Sequence, residues 1–149
     1  MISPPSGSSS GPGQGRKVLL VDDHPIQRQW VGLRLACEGF LVDVAADGPT
    51  ALERARRRRP DAVLADVLMD GMDGFNLCAA IREDATLRHV PVVLASNVAM
   101  DRNLARAVGA DALVVRCPDL TEVMPALLAA LAGRAPAAVA SPAPPPACG

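Results

Sequence analysis

Residues 61–74 read DAVLADVLMDGMDG: the unbroken apolar run Ala62–Ala65 ends on an aspartate and gives way to a loop of Gly and Asp. A strand that is apolar at every position is buried on both faces, as in a parallel sheet with helices on either side. Four further runs have the same character, Lys17–Asp22, Phe40–Ala45, Pro91–Ser96 and Asp111–Cys117. They alternate with patterns that predict helices near 25–38, 49–59, 74–84, 99–108 and 120–132. Strand–helix alternation of this kind implies an α/β domain built on a parallel sheet. Local signals agree: Pro25 suits a first helical turn, Asp47 suits an N-cap, and Gly39 and Gly109 stand where helices should stop.

Composition sets the outer limits. A chain of 149 residues supports one domain with a sizeable core, and half its residues are hydrophobic. Trp30, Phe40 and Phe75 are the only aromatics, so Val, Leu and Ala must fill the interior. A formal net charge of −1 gives no overall field for nucleic acid or an anionic membrane. The sequence shows neither a signal peptide nor an apolar stretch of membrane-spanning length, which makes the cytoplasm the expected location. Cys37, Cys78, Cys117 and Cys148 are widely spaced, unlike zinc or dithiol motifs, and read as reduced thiols. Residues 1–15 and 133–149 are rich in Gly, Ser, Pro and Ala and read as flexible tails around a domain at 16–132.

In an open parallel sheet, chemistry collects at the carboxyl ends of the strands. The first strand delivers Asp22 and Asp23 there, the third Asp66, the fourth Ser96 and the fifth Arg116. Three carboxylates packed together repel one another unless protonated or neutralised, and a small hard cation is the usual remedy. Magnesium suits such a site, because it takes few protein ligands and keeps waters or phosphate oxygens.

These residues resemble the receiver domains of bacterial two-component response regulators. VLLVDDHP (18–25) resembles the acidic-pair motif, ADVLMDGMDG (65–74) the phospho-acceptor loop, VPVVLAS (90–96) the strand ending in Ser/Thr, and GADALVVRCPDL (109–120) the last strand and its Lys-Pro turn. The resemblance implies a flavodoxin-like (βα)5 fold with strand order 2-1-3-4-5. It also implies a phospho-acceptor switch rather than an enzyme acting on a separate substrate. Asp66 would take a phosphoryl group from a phosphohistidine on a kinase or phosphotransfer protein. Asp23, Asp66 and the Leu68 carbonyl would hold magnesium, with Asp22 acting mostly through water, and Ser96 and Arg116 would meet the phosphate. Output would go to an unknown downstream protein, and the fourth and fifth helices form the expected face for it and for a dimer. Direct contact with nucleic acid or a membrane is not expected.

Several positions depart from the family pattern. Arg116 replaces its lysine, Cys117 the following proline, Leu113 the usual aromatic and Asp70 the proline of the acceptor loop. The stretch from Ser96 to Gly109 is about two residues short, so the fourth helix should start late or its loop be tight. Because arginine can grip a carboxylate with two bonds, the alternative is a pseudo-receiver that binds proteins without phosphorylation. A haloacid-dehalogenase-like phosphatase needs a second aspartate where Leu68 stands, and a flavodoxin needs a phosphate loop where DDHP stands. Other conspicuous residues read as structural: RARRRRP (54–60) as a solvated helix end, Trp30 as helix packing, His24 as a bystander on the rim.

Overall fold

The computed structural model describes residues 15–115 and 120–132. Five strands alternate with five helices: β1 (Lys17–Val21), α1 (Pro25–Cys37), β2 (Leu41–Ala45), α2 (Gly48–Arg58), β3 (Ala62–Asp66), α3 (Gly74–Glu83), β4 (Val92–Ser96), α4 (Arg102–Ala107), β5 (Ala112–Val115) and α5 (Val123–Leu131). All pairings are parallel and the strand order is β2-β1-β3-β4-β5. Every residue of β3 and β4 is buried, as their uninterrupted apolar character requires.

Alternate strand residues feed two separate cores. Leu19, Val63, Leu94 and Leu113 pack with Ala51 of α2, Leu77 and Ile81 of α3 and Ala105 of α4. Val18, Leu64, Val93 and Ala112 pack with Val31 and Leu35 of α1 and Val123 and Leu127 of α5. The period-two geometry of strands divides these sets, and burial of each aliphatic side chain contributes about 1.5–3 kcal/mol.

Helix boundaries follow their capping chemistry. Asp47 accepts from the Thr50 amide at 2.8 Å and Asp73 from that of Asn76 at 2.8 Å, and Pro25 opens α1. Gly39 and Gly109 hold φ of 98° and 86° after α1 and α4, the left-handed conformation that a side chain resists. The fourth helix, expected near 99–108, begins only at Arg102, where Asp101 caps it through the Asn103 amide. The fifth starts at Val123, not 120, because Leu120 has φ of 59° and cannot continue a right-handed helix.

Two residues read from sequence as passive behave otherwise. His24 is the N-cap of α1, its Nδ1 accepting from the Gln27 amide at 3.3 Å. Trp30 is 46% exposed on the outer side of α1 and belongs to neither core. The arginine run is only partly a solvated face. Arg54 Nη1 and Arg58 Nε lie 3.0 and 3.2 Å from the carboxylate of Asp43, and Arg56 Nε lies 2.7 Å from that of Asp84. Hydrogen bonds from Thr86 and from Arg56 hold the Asp84 carboxyl down at about 2, so its stabilising contribution, present at neutral pH, is lost only in strong acid. Burial pushes the Cys78 thiol up to about 11, which keeps it protonated and inert. No helix among the described residues is long and apolar enough to cross a membrane. Cys117, Cys148 and both expected tails, Gly15 apart, lie outside the described residues.

Candidate functional site

The carboxyl ends of β1 and β3 are neighbours in the sheet, Val21 pairing with Ala65. The residues that follow therefore meet: carboxylate oxygens of Asp22, Asp23 and Asp66 all lie within 4.8 Å of one another. Asp22 is fully buried, Asp66 almost so, and Asp23 half-buried. Three carboxylates this close, two of them withdrawn from water, repel one another when charged.

Each acid is held differently. Asp22 accepts from the His24 amide at 2.9 Å through Oδ1 and from Gln27 Nε2 at 2.8 Å through Oδ2, while Arg28 Nη1 donates to its carbonyl at 2.7 Å. Both carboxylate oxygens thus have a protein donor. Asp23 Oδ2 accepts from the Asp70 amide at 3.1 Å. That bond ties the acceptor loop to the acidic pair, and a proline at position 70 could not make it. Asp66 ends a fully buried strand, and its carbonyl abuts Gly74, where a Cβ would come within 2.6 Å of the oxygen. Gly74 in turn donates to the Val67 carbonyl at 2.9 Å, closing the loop 67–74 on the strand that carries Asp66.

Ser96 is fully buried at the end of β4, one residue beyond Ala95, the partner of Asp66. Its Oγ accepts from the Val98 amide at 3.2 Å, which leaves the hydroxyl proton free to be donated elsewhere. Leu68 projects from the acceptor loop, 54% exposed between buried Val67 and Met69. Arg116 lies outside the described residues. A cavity of about 40 Å³ separates Val98, Ala99, Met100 and Arg102 from Leu113, Val114 and Val115, beside the position where the family carries a ring. The donor set offered by the three aspartates is entirely carboxylate oxygen, which fits a hard cation such as magnesium and not a soft one.

The site is thus a triple-aspartate cluster at the carboxyl edge of a doubly wound, five-stranded parallel sheet. The chain belongs to the response regulator receiver domain family, whose model matches residues 18–126. It is 46% identical over 78 residues to the response regulator PleD of Caulobacter vibrioides, a match covering 52% of this chain and 17% of that protein. The chain thus corresponds to a small part of that curated relative's length. The chemotaxis protein CheY4 of Vibrio cholerae superimposes with a TM-score of 0.70 at 32% identity, over 76% of this chain and 96% of that one. The response regulator TrrA of Thermotoga maritima, solved in complex with Mg²⁺ and BeF, superimposes with a TM-score of 0.70 at 26% identity, over 77% and 98% of the two chains. Membership places the protein in phosphorylation-based two-component signalling, among domains that bind Mg²⁺ through acidic residues and interact with histidine kinases or phosphotransfer proteins.

Proposed function

We propose that residues 16–132 form a phospho-switch in which Asp66 accepts a phosphoryl group from a phosphohistidine, and that the chain signals through protein contacts. One observation carries this reading: three aspartate carboxylates converge at the ends of β1 and β3 with Asp66 on the central strand. An Asp66 oxygen attacks phosphorus in line, the P–O bond forms as the P–N bond to imidazole breaks, and the imidazole leaves with the electron pair. Asp23, Asp66 and the Leu68 carbonyl are the residues that would hold magnesium, with Asp22 acting through water because its oxygens already accept from His24 and Gln27. Bound there, magnesium supplies positive charge to the phosphoryl oxygens. Ser96 donates its free proton to the new phosphate, and Arg116, carried over from the family pattern, supplies a second cationic contact. Because Ser96 is bonded to the Val98 amide, its movement draws the loop before the short α4, and the face along α4 and α5 changes.

The test is incubation with acetyl phosphate and magnesium, read by intact mass. The wild-type chain should gain one phosphate and Asp66→Asn none. A wild-type chain that gains nothing would instead support the pseudo-receiver reading, and undiminished labelling of Asp66→Asn would move the nucleophile elsewhere.

Magnesium should also stabilise the fold, since only the native state gathers the three acids. At a tenfold excess over Kd the gain is about 1.4 kcal/mol. Asp23→Asn should raise the metal-free thermal midpoint by relieving repulsion and abolish the response to magnesium. An equal response in both proteins would remove Asp23 from the site.

A further inference from the structure

Two of the groups that would hold magnesium, the Leu68 carbonyl and the Asp23 carboxylate, come from different elements. Leu68 stands in the loop 67–74 after β3, and Asp23 follows β1. How firmly they face each other before a cation arrives depends on how that loop is tied. Its base is closed by the Gly74 amide on the Val67 carbonyl. Its middle is anchored from below, where Met69 is buried in the core beneath α2 and α3 and Met72 packs against the same core. Between these anchors Asp70 and Gly71 are exposed, and Gly71 turns the chain with a left-handed φ of 78°. Among the described residues, the bond from the Asp70 amide to Asp23 Oδ2 is the only hydrogen bond that residues 68–72 make to another element. Asp23 accepts no other there, and a carboxylate has about four lone-pair sites, so its remaining sites stay open to a cation.

We propose that Asp70 is a positioning residue for the metal site and acts through its main-chain N–H. The bond fixes the Asp23 carboxylate against the loop that carries Leu68, so a cation meets two ligands already in register. The proposal rests on the magnesium-assisted reading of the site given above. Ordering a side chain and a loop in advance removes that cost from the binding step, and a half-buried aspartate on a loop otherwise has such a cost to meet. A chain with the family's proline at this position has no N–H to give, so the arrangement depends on the replacement in this sequence. The Asp70 side chain is a separate matter. Its carboxylate is not among the three whose oxygens lie within 4.8 Å of one another, and from its exposed position it adds only a screened attraction for cations.

Magnesium chloride titrated into the isotope-labelled full chain, followed by amide chemical shifts, tests this. In the metal-free wild type the Asp70 amide should exchange with solvent about tenfold more slowly than that of Gly71, and Asp23→Ala should abolish the difference. Replacing Asp70 with L-malate turns its N–H into an ester oxygen and keeps the carboxylate. The Kd for magnesium should then rise about fivefold or more, and Asp70→Pro should do the same. Asp70→Asn and Asp70→Ala keep the amide and should stay within about threefold of wild type. Residue 70 is exposed, so each of these proteins should keep native circular dichroism. A malate protein that binds magnesium as tightly as wild type would overturn the clasp and leave the reading of the site standing. Asp70→Asn weakened as much as the malate protein would overturn it too, by assigning the effect to charge. A wild-type chain that takes up no magnesium would overturn the clasp and the reading of the site together.

Discussion

Arg82→Ala should lower the stability of the domain by about 3–5 kcal/mol, a large share of the roughly 5–15 kcal/mol that a folded domain commonly has. Arg82 leaves α3 and spends its guanidinium on four acceptors: the carbonyls of Gly109 at 2.9 Å, Arg88 at 3.0 Å and Val90 at 2.6 Å, and Asp111 Oδ2 at 2.9 Å. The same Asp111 oxygen accepts from the Val92 amide at 2.6 Å, at the first residue of β4. One side chain therefore binds α3, the approach to β4, the end of α4 and the approach to β5. Truncation leaves Asp111 buried without its cation and three carbonyls without a donor, a loss far larger than that of an exposed ion pair. The thermal midpoint should fall on the order of 10–20 °C. Arg82→Lys should recover only part of this, because an ammonium cannot span the same fork. A fall of a degree or two in Arg82→Ala would show that the latch is ornamental.

Gly74→Ala should damage both stability and phosphoryl acceptance. An added Cβ would stand 2.6 Å from the Asp66 carbonyl oxygen and 2.8 Å from Val67 Cα, and neither atom can yield without moving the backbone that carries Asp66. Overpacking of this kind costs about 1–3 kcal/mol, and the displaced acceptor should react at least tenfold more slowly with acetyl phosphate. Gly48→Ala is the control. Its Cβ would stand 2.8 Å from Met72 Cβ, which no rotamer moves, so the loop 67–74 must give a little, but no atom of Asp66 or Val67 is met and the labelling rate should fall less than in Gly74→Ala. Equal rates in wild type and Gly74→Ala would show that the acceptor tolerates displacement of its loop.

The strand ends were legible because burial on both faces leaves an uninterrupted apolar run, and because Asp22, Asp23 and Asp66 interrupt those runs at one edge. Strand order came with the family resemblance, and the alternating runs by themselves specify neither it nor the register. Arg82 was invisible, since in a chain with one lysine among fifteen basic residues another arginine carries no signal. The pairing of Arg54 and Arg58 with Asp43 was hidden for a related reason: the partners come from β2 and α2, and local sequence reports only a cationic helix end. His24 was misread because imidazole is an uncommon cap, and Trp30 because hydrophobicity alone does not say which side of a helix a residue occupies.

The sheet that separates the two cores also separates their energetics. Val63 and Leu64 are neighbours in the chain, yet they belong to different clusters and share no packing partner, whereas Leu64 and Leu35, 29 positions apart, belong to one. Substitutions at Val63 and Leu64 should therefore sum, while those at Leu64 and Leu35 should interact, because a void opened by one is relaxed or aggravated by the other. Kinship between residues runs across the chain within a face and stops at the backbone between faces. For an evolving sequence, each half of the interior can drift and be repaired without consulting the other, with the strands beneath the aspartates as their common wall.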